Sequence, residues 1–439
     1  MTHNPHKQAL TMPEKLCRQL EVGAFDTVFA RLYPQATAEA CRARCRGLLA
    51  CFVARYGNRP VALLSAPGRT EIGGNHTDHQ QGRVLAAAVD LDVLCVAAPN
   101  NENIIRLQSE GYPACAVALR TWEPRPEEQG KPAGILRGMA DWLRIRNFPI
   151  GGFDMVTDSQ VPIGSGLSSS AAFEVAVGQA LRALYAPALS PVDIAMAGQH
   201  AERQFWSKPS GLMDQMASSL GGFSFLDFAD PGQPDITPIA FAPTDYGLQL
   251  MVVNTGGSHA NLTGDYAAIP QEMSAIAQLF GQTVLRQVPQ ADFESKIAEL
   301  RAQCGDRAVL RAWHFYREDA RVARQAQALA EGRAADFLAM VTESGASSFT
   351  CLQNIYAPAH PEQQGVSLAL AMSAELLQSK GGAWRVHGGG FAGTVLAFVP
   401  VDFVQAYTSC LEAVFGSGAC LPLAVRPDGG VAITEENLV

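Results

Sequence analysis

The segment Pro162-Ile163-Gly164-Ser165-Gly166-Leu167-Ser168-Ser169-Ser170-Ala171-Ala172 constrains the fold more than any other part of the chain. Gly152 to Thr157 before it reads as a strand, and Ala171 to Leu184 after it carries helical periodicity. Strand, glycine loop and helix in that order form a cradle for phosphate. Glycines 164 and 166 let backbone amides approach a ligand, and Ser168, Ser169 and Ser170 add hydroxyls where a helix dipole favours anions. The loop is not a Walker loop, because no Lys-Ser/Thr pair follows. It also fails as a dinucleotide fingerprint, since Ser169 stands where the third glycine belongs. Taken alone, the segment also fits a serine-capped helix behind a turn.

Around this loop the apolar pattern predicts a helical lead-in from Pro13 to Tyr56, and strands over Pro60–Ala66, Val84–Val89 and Asp92–Ala98. Helices are expected over Ile135–Ile145 and Ile194–Phe205, a strand over Gly222–Phe228, and a boundary at Asp230-Pro231-Gly232-Gln233-Pro234. The division is therefore set as residues 1–235 and 236–439. The second part reads as a strand at Leu248–Asn254, helices across Gln271–Ala330, and a helix, glycine turn and strand from Ser367 to Val399.

At 439 residues with 48% hydrophobic residues, the chain can bury a large core. A net charge of −9 without a basic stripe argues against a nucleic-acid partner. The ten cysteines contain no CxxC pair, which fits reduced thiols in a cytoplasmic protein. The first residues lack the apolar core of a signal peptide, and no apolar run is long enough for a membrane span.

Two further segments carry chemistry. Gly68-Arg69-Thr70-Glu71-Ile72-Gly73-Gly74-Asn75-His76-Thr77-Asp78-His79 crowds a cation, imidazoles, an amide and carboxylates into a glycine-rich turn, a group suited to vicinal hydroxyls. Its two histidines lack a third convincing partner for a metal. Gly388-Gly389-Gly390-Phe391-Ala392-Gly393 matches GxGxxG, but the strand-like Thr394–Val399 follows where a dinucleotide site needs a helix, so the three glycines read as a tight turn.

Together the three segments resemble the three signature motifs of the galactokinase, homoserine kinase, mevalonate kinase and phosphomevalonate kinase (GHMP) superfamily, and galactokinases fit best. Gly211-Leu212-Met213-Asp214-Gln215 is similar to a galactokinase segment, and Asn254, His259, Leu262-Thr263-Gly264 and Tyr266 resemble its sugar-side stretch. The resemblance implies an α+β fold of two domains, the first like ribosomal protein S5 domain 2 and the second ferredoxin-like. It implies an ATP-dependent kinase acting on the C1 hydroxyl of galactose or a related sugar. Asp214 and Arg69 would be catalytic, and Gly164, Ser165, Gly166, Leu167, Ser168, Ser169 and Ser170 would hold the nucleotide. Asn75, His76, Asp78, Asp214 and Tyr266 would bind sugar, and Ser170 with Glu202 would bind Mg²⁺. A monomer or weak homo-oligomer is expected.

Asn75 departs from the family's usual Glu, and Ile355 to Glu362 departs from a further family segment, which leaves two alternatives: a kinase for another sugar or derivative, and a non-catalytic regulator that binds sugar and ATP.

Overall fold

The computed structural model describes residues 10–257, 262–391 and 393–434. Within them run twelve strands: β1 Ala62–Gly73, β2 Arg83–Pro99, β3 Ile104–Ser109, β4 Cys115–Ala118, β5 Phe153–Ser159, β6 Phe223–Asp227, β7 Asp235–Ile239, β8 Leu248–Asn254, β9 Ala383–Val386, β10 Thr394–Pro400, β11 Cys420–Leu423 and β12 Val431–Ala432.

Eight of them form one sheet in the order β12-β1-β2-β5-β3-β4, with β6 beside β2 and β7 beside β6. Both faces of its centre are buried, so alternate residues of a nearly continuous apolar run enter two different cores. Ala62, Leu64, Ala66, Cys95 and Ala97 face the main core with the helices Pro132–Ile145 and Ser169–Leu184. Leu63, Leu94, Val96 and Ala98 face the opposite way, against the lead-in helices Pro13–Glu21, Asp26–Leu32 and Ala38–Tyr56. Those helices sink Leu20, Phe25, Phe29, Leu32, Leu49 and Phe52 into that face. At about 1.5–3 kcal/mol per fully buried large apolar side chain, the lead-in is part of the domain and not an appendage.

The two apolar runs expected over Val84–Val89 and Asp92–Ala98 are a single 17-residue strand. Asp90 and Asp92 interrupt the pattern but not the strand. Asp92, fully buried, accepts from Tyr33 Oη at 2.6 Å and pairs with Arg44 at 2.5 Å. Buried polar groups persist in a strand only with such partners. One edge of β2 serves two neighbours, β6 over Arg83–Ala87 and β5 over Val93–Pro99.

The second sheet has the antiparallel order β11-β8-β10-β9. Numbered along the chain this is 4-1-3-2, and with helices after β8 and β10 it is the βαββαβ ferredoxin-like plan. Between β8 and β9 lie the helices Thr263–Gln278, Ile297–Ala330, Ala334–Ser347 and Gly365–Leu377. Gly305, at φ 81° and ψ 169°, breaks the long one. Leu250, Val252, Leu396 and Phe398 of this sheet join the same core as β1 and β2, so the two sheets share a continuous apolar interior.

The expected division after residue 235 falls at the start of β7, which still pairs with β6. The chain changes sheets between Ile239 and Leu248, and β12 then returns to the edge of β1. No described helix is long and apolar enough to cross a membrane.

Candidate active site

The helix Ser169–Leu184 starts after Ser168, whose backbone is left-handed at φ 55°, and the loop before it turns through Gly164 at φ 74° and Gly166 at φ 72°. Both glycines take a conformation that L side chains rarely adopt. Gly166 also lacks room: a Cβ there would stand 2.7 Å from His387 Nδ1 and from Thr394 Oγ1. The phosphate-type loop therefore lies directly against the strand end and turn of the third glycine-rich segment. His387 is buried, close to the Thr70 hydroxyl at 3.0 Å and the Thr394 hydroxyl at 3.3 Å, and burial pushes its imidazole down to about 3.

The polar segment near residue 70 is mostly strand and not loop. β1 runs through Gly73, with register shifts at Pro67/Arg69 and Glu71/Gly73. Such irregularities re-aim side chains, and here they lead Arg69 into the site. Its backbone N–H donates to Leu167 O at 3.0 Å, and its guanidinium donates to Gly166 O and, at 2.7 Å, to Asp214 Oδ1. Asp214 opens the helix Met213–Leu220 and accepts a second bond from Ser168 Oγ at 2.6 Å. Burial would raise the carboxyl's pKa, but Arg69 and Ser168 outweigh it and hold Asp214 below the usual range. Arg69, Asp214 and Ser168 are thus one hydrogen-bonded bridge between the glycine loop and the space beyond it.

That space is a cavity of about 360 Å³. Arg69, Asp214, Asp78, His76 and Tyr266 all line it, and Gly388 and Gly389 form part of its wall. His76, at φ 60°, has Nε2 3.0 Å from Gly389 O, and burial pushes its pKa down to about 4. A neutral ring that donates through Nε2 leaves Nδ1 as an acceptor, and Nδ1 is buried without a partner. Asp78 pairs with His79 Nδ1 at 2.8 Å; burial opposes its charge, but His79 prevails and the carboxyl is held far below its ordinary value. His79 in turn is raised, because Asp78 offsets the cost of burial. Tyr266 donates its hydroxyl to Gly390 O at 2.9 Å and meets Phe391 edge-on at 5.3 Å.

Asn75, read from the sequence as a sugar contact, lies outside the cavity. Its side chain is fully buried, with Nδ2 donating to Glu71 Oε1 at 2.9 Å and to Gly388 O at 2.7 Å. Oδ1 accepts from Asn354 Nδ2 at 2.8 Å and Ser348 Oγ at 3.3 Å. The amide uses both of its faces to tie β1 to the second domain. Gly74 and His76 on either side have positive φ, so the chain turns sharply here and sends neighbouring side chains in different directions.

Glu202 lies in a π-helical turn, Ala201–Phe205, a form often found at functional sites. Its carboxylate is 1% exposed, borders the cavity, bonds Lys208 Nζ through Oε1, and accepts from Gln215 Nε2 at 3.3 Å through Oε2. Gln215 Nε2 also donates to Glu174 Oε2 at 2.9 Å. Glu174 is wholly buried, and both burial and the nearby Glu202 raise its pKa well above the ordinary value. Ser170 sits four residues before Glu174, on the same helix face, one turn nearer the glycine loop. The oxygen-only donors, together with the orphaned Glu174 Oε1 and Gln215 Oε1, suit a hard cation such as Mg²⁺ completed by phosphate oxygens. Among the described residues no group of three or more His, Cys, Asp or Glu forms a protein-only cage.

Sequence reasoning missed Glu71, Glu174, His79, Lys208 and Gln215. Position offered a signal for some of them: His79 follows Asp78, Gln215 follows Asp214, and Lys208 stands midway between Glu202 and Asp214. Asn254, at the exposed end of β8, accepts from Gly256 N at 2.9 Å and is not a cavity residue. His259 and Ala392 lie outside the described residues.

Residues 135–222 match the family model of the GHMP kinases N terminal domain, and residues 50–99 match the galactokinase galactose-binding signature. The fold is that of solved kinases. Lactococcus lactis galactokinase complexed with galactose superposes with a TM-score of 0.75 at 22% identity, covering 89% of this chain and 99% of that one. The Methanococcus jannaschii mevalonate kinase gives 0.58 at 15% identity, covering 83% and 98%. Streptococcus pneumoniae phosphomevalonate kinase in complex with phosphomevalonate and AMPPNP gives 0.54 at 14%, covering 82% and 98%. The chain belongs to the GHMP kinases, phosphotransferases whose acceptor is a sugar or another alcohol. Its galactose-binding signature sets it with the galactokinases among them.

Proposed function

We propose that the protein transfers the γ-phosphoryl group of ATP to the C1 hydroxyl of galactose or a closely related sugar held in the cavity. The observation that carries this reading is the Arg69–Asp214–Ser168 bridge, which joins a glycine-rich anion loop to a cavity lined with hydroxyl-binding groups. The galactose-binding signature supports the choice of sugar.

Phosphoryl transfer needs positioning and charge neutralisation more than covalent help. The amides of the Gly164–Ser170 loop and the start of its helix would receive the phosphates. Asp78, Tyr266 and the free acceptor His76 Nδ1 would fix sugar hydroxyls, leaving the C1 hydroxyl beside Asp214. The acceptor oxygen bonds to γ-phosphorus as the bridge to the β-phosphate breaks, and its proton passes to Asp214. Because Asp214 has a lowered pKa, it is a weak base at neutral pH. Its larger contribution is to orient the hydroxyl, with the proton moving late. Arg69 would offset charge on the transferring group. Mg²⁺ held by Ser170 and Glu202 would supply neutralisation of the phosphate oxygens.

The test is ADP release with Mg-ATP across galactose, its epimers and its 2-amino derivatives, with the product's phosphate located by NMR. Phosphate at C1 of a galactose-type sugar is expected. Sugar and nucleotide binding without turnover across that panel sinks the reading.

A further inference from the structure

Glu202, the carboxylate assigned above to the metal, already holds a cation belonging to the protein. Lys208 reaches it because the chain folds back after the π-helical turn. Trp206 N–H donates to Ala201 O and Glu202 O, each at 3.2 Å, and Lys208 N–H donates to Glu202 O at 3.0 Å. Ser207 between them is left-handed at φ 53°, a strained state for a residue other than glycine. Ser210 N–H donates to Lys208 O at 2.8 Å, and Arg203 Nε donates to Ser210 O at 2.8 Å, which closes the loop. This backbone sets the ammonium on one Glu202 oxygen while Gln215 occupies the other.

The two partners differ in freedom. The Glu202 side chain is 1% exposed and fixed, whereas that of Lys208 is 49% exposed. Burial works against the lysine's charge, but Glu202, Glu174 and Asp214 outweigh it, so the ammonium stays protonated. An ammonium within hydrogen-bonding distance of an oxygen repels a divalent ion approaching the same oxygen. The geometry points to Lys208 as a resident counter-ion of Glu202 that the divalent cation displaces on binding, so that Lys208 weakens metal affinity at this site. The inference rests on the assignment of Glu202 to the metal.

A half-exposed ion pair contributes little, and its removal corresponds to roughly a five-fold change in affinity. Binding of Mn²⁺ to the full chain saturated with AMPPNP, followed by electron paramagnetic resonance, reads this without turnover. Lys208→Met is expected to bind Mn²⁺ roughly five-fold more tightly than the native protein, Lys208→Arg to stay within two-fold of it, and Glu202→Gln to bind more weakly. Unchanged or weaker Mn²⁺ binding in Lys208→Met, with Glu202→Gln weakened, overturns the competition and leaves the metal assignment standing. Native affinity in Glu202→Gln overturns both.

Discussion

Gly211 is where space alone should decide activity. Its φ is not in the left-handed region, so an alanine backbone is tolerated there, but an added Cβ would stand 1.6 Å from Asp78 Oδ2 and 2.4 Å from Asp78 Cγ. Carbon–oxygen contacts under 3.0 Å essentially do not occur, so the carboxylate must retreat by about 1.4 Å. Asp78 cannot retreat freely, because it is held 2.8 Å from His79 Nδ1 and 3.4 Å from the Met213 N–H. A shift of about 1 Å in a positioning group costs on the order of 100-fold in rate, or about 2.7 kcal/mol of transition-state stabilisation. Gly211→Ala should therefore lose about 100-fold in kcat/KM for the sugar in a coupled ADP-release assay. Gly47→Ala is the control: it lies in a helix with nothing within 4 Å of the new Cβ, and it should keep full activity and gain up to ~1 kcal/mol of stability. A Gly211→Ala enzyme within five-fold of native kcat/KM would refute the role given to Asp78.

Asn75→Glu should destabilise the protein by about 3 kcal/mol, seen as a lower urea midpoint, because it buries a carboxylate against Glu71 and Gly388 O; a shift in sugar preference at native stability would contradict this. Asp214→Ala should lower kcat by at least ~100-fold while ATP binding, measured by calorimetry, stays within a few-fold of native. Acidification should destabilise the protein partly through His387, whose pKa is about 3 when folded against an ordinary 6.5. The unfolded chain takes up the proton first, so this contribution is complete above pH 6.5 and falls by up to about 1.4 kcal/mol per pH unit below it. Urea midpoints of His387→Gln should therefore decline less between pH 7 and 5 than those of the native protein, and equal declines would count against it.

The sequence made the fold legible where burial is two-sided or periodicity is strong. Leu248–Asn254 reads as the strand it is, and the lead-in from Pro13 to Tyr56 resolves into three helices. β3 was hidden because Arg106 and Gln108 alternate with its apolar residues, and both β4 and β9 have only four residues. At the site, the motifs led to the residues that line one cavity, including Arg69, His76, Asp78, Asp214 and Tyr266. They did not disclose which way Asn75 points. Motif spacing records order along the chain, whereas the direction of Asn75 depends on the positive φ values beside it and on Asn354 and Ser348, nearly 280 residues away. Glu174 was hidden for a related reason: within an apolar helix it reads as a solvated carboxylate until its burial is seen.

The return of β12 to β1 has a consequence for synthesis. β1 carries Arg69, yet the strand that covers its outer edge is Val431–Ala432, made after almost all of the chain. While the polypeptide emerges from the ribosome, the first sheet waits with that edge open, a template for pairing with another nascent chain. A nonsense codon shortly before residue 431 would leave every catalytic side chain in place and still yield a protein prone to aggregate.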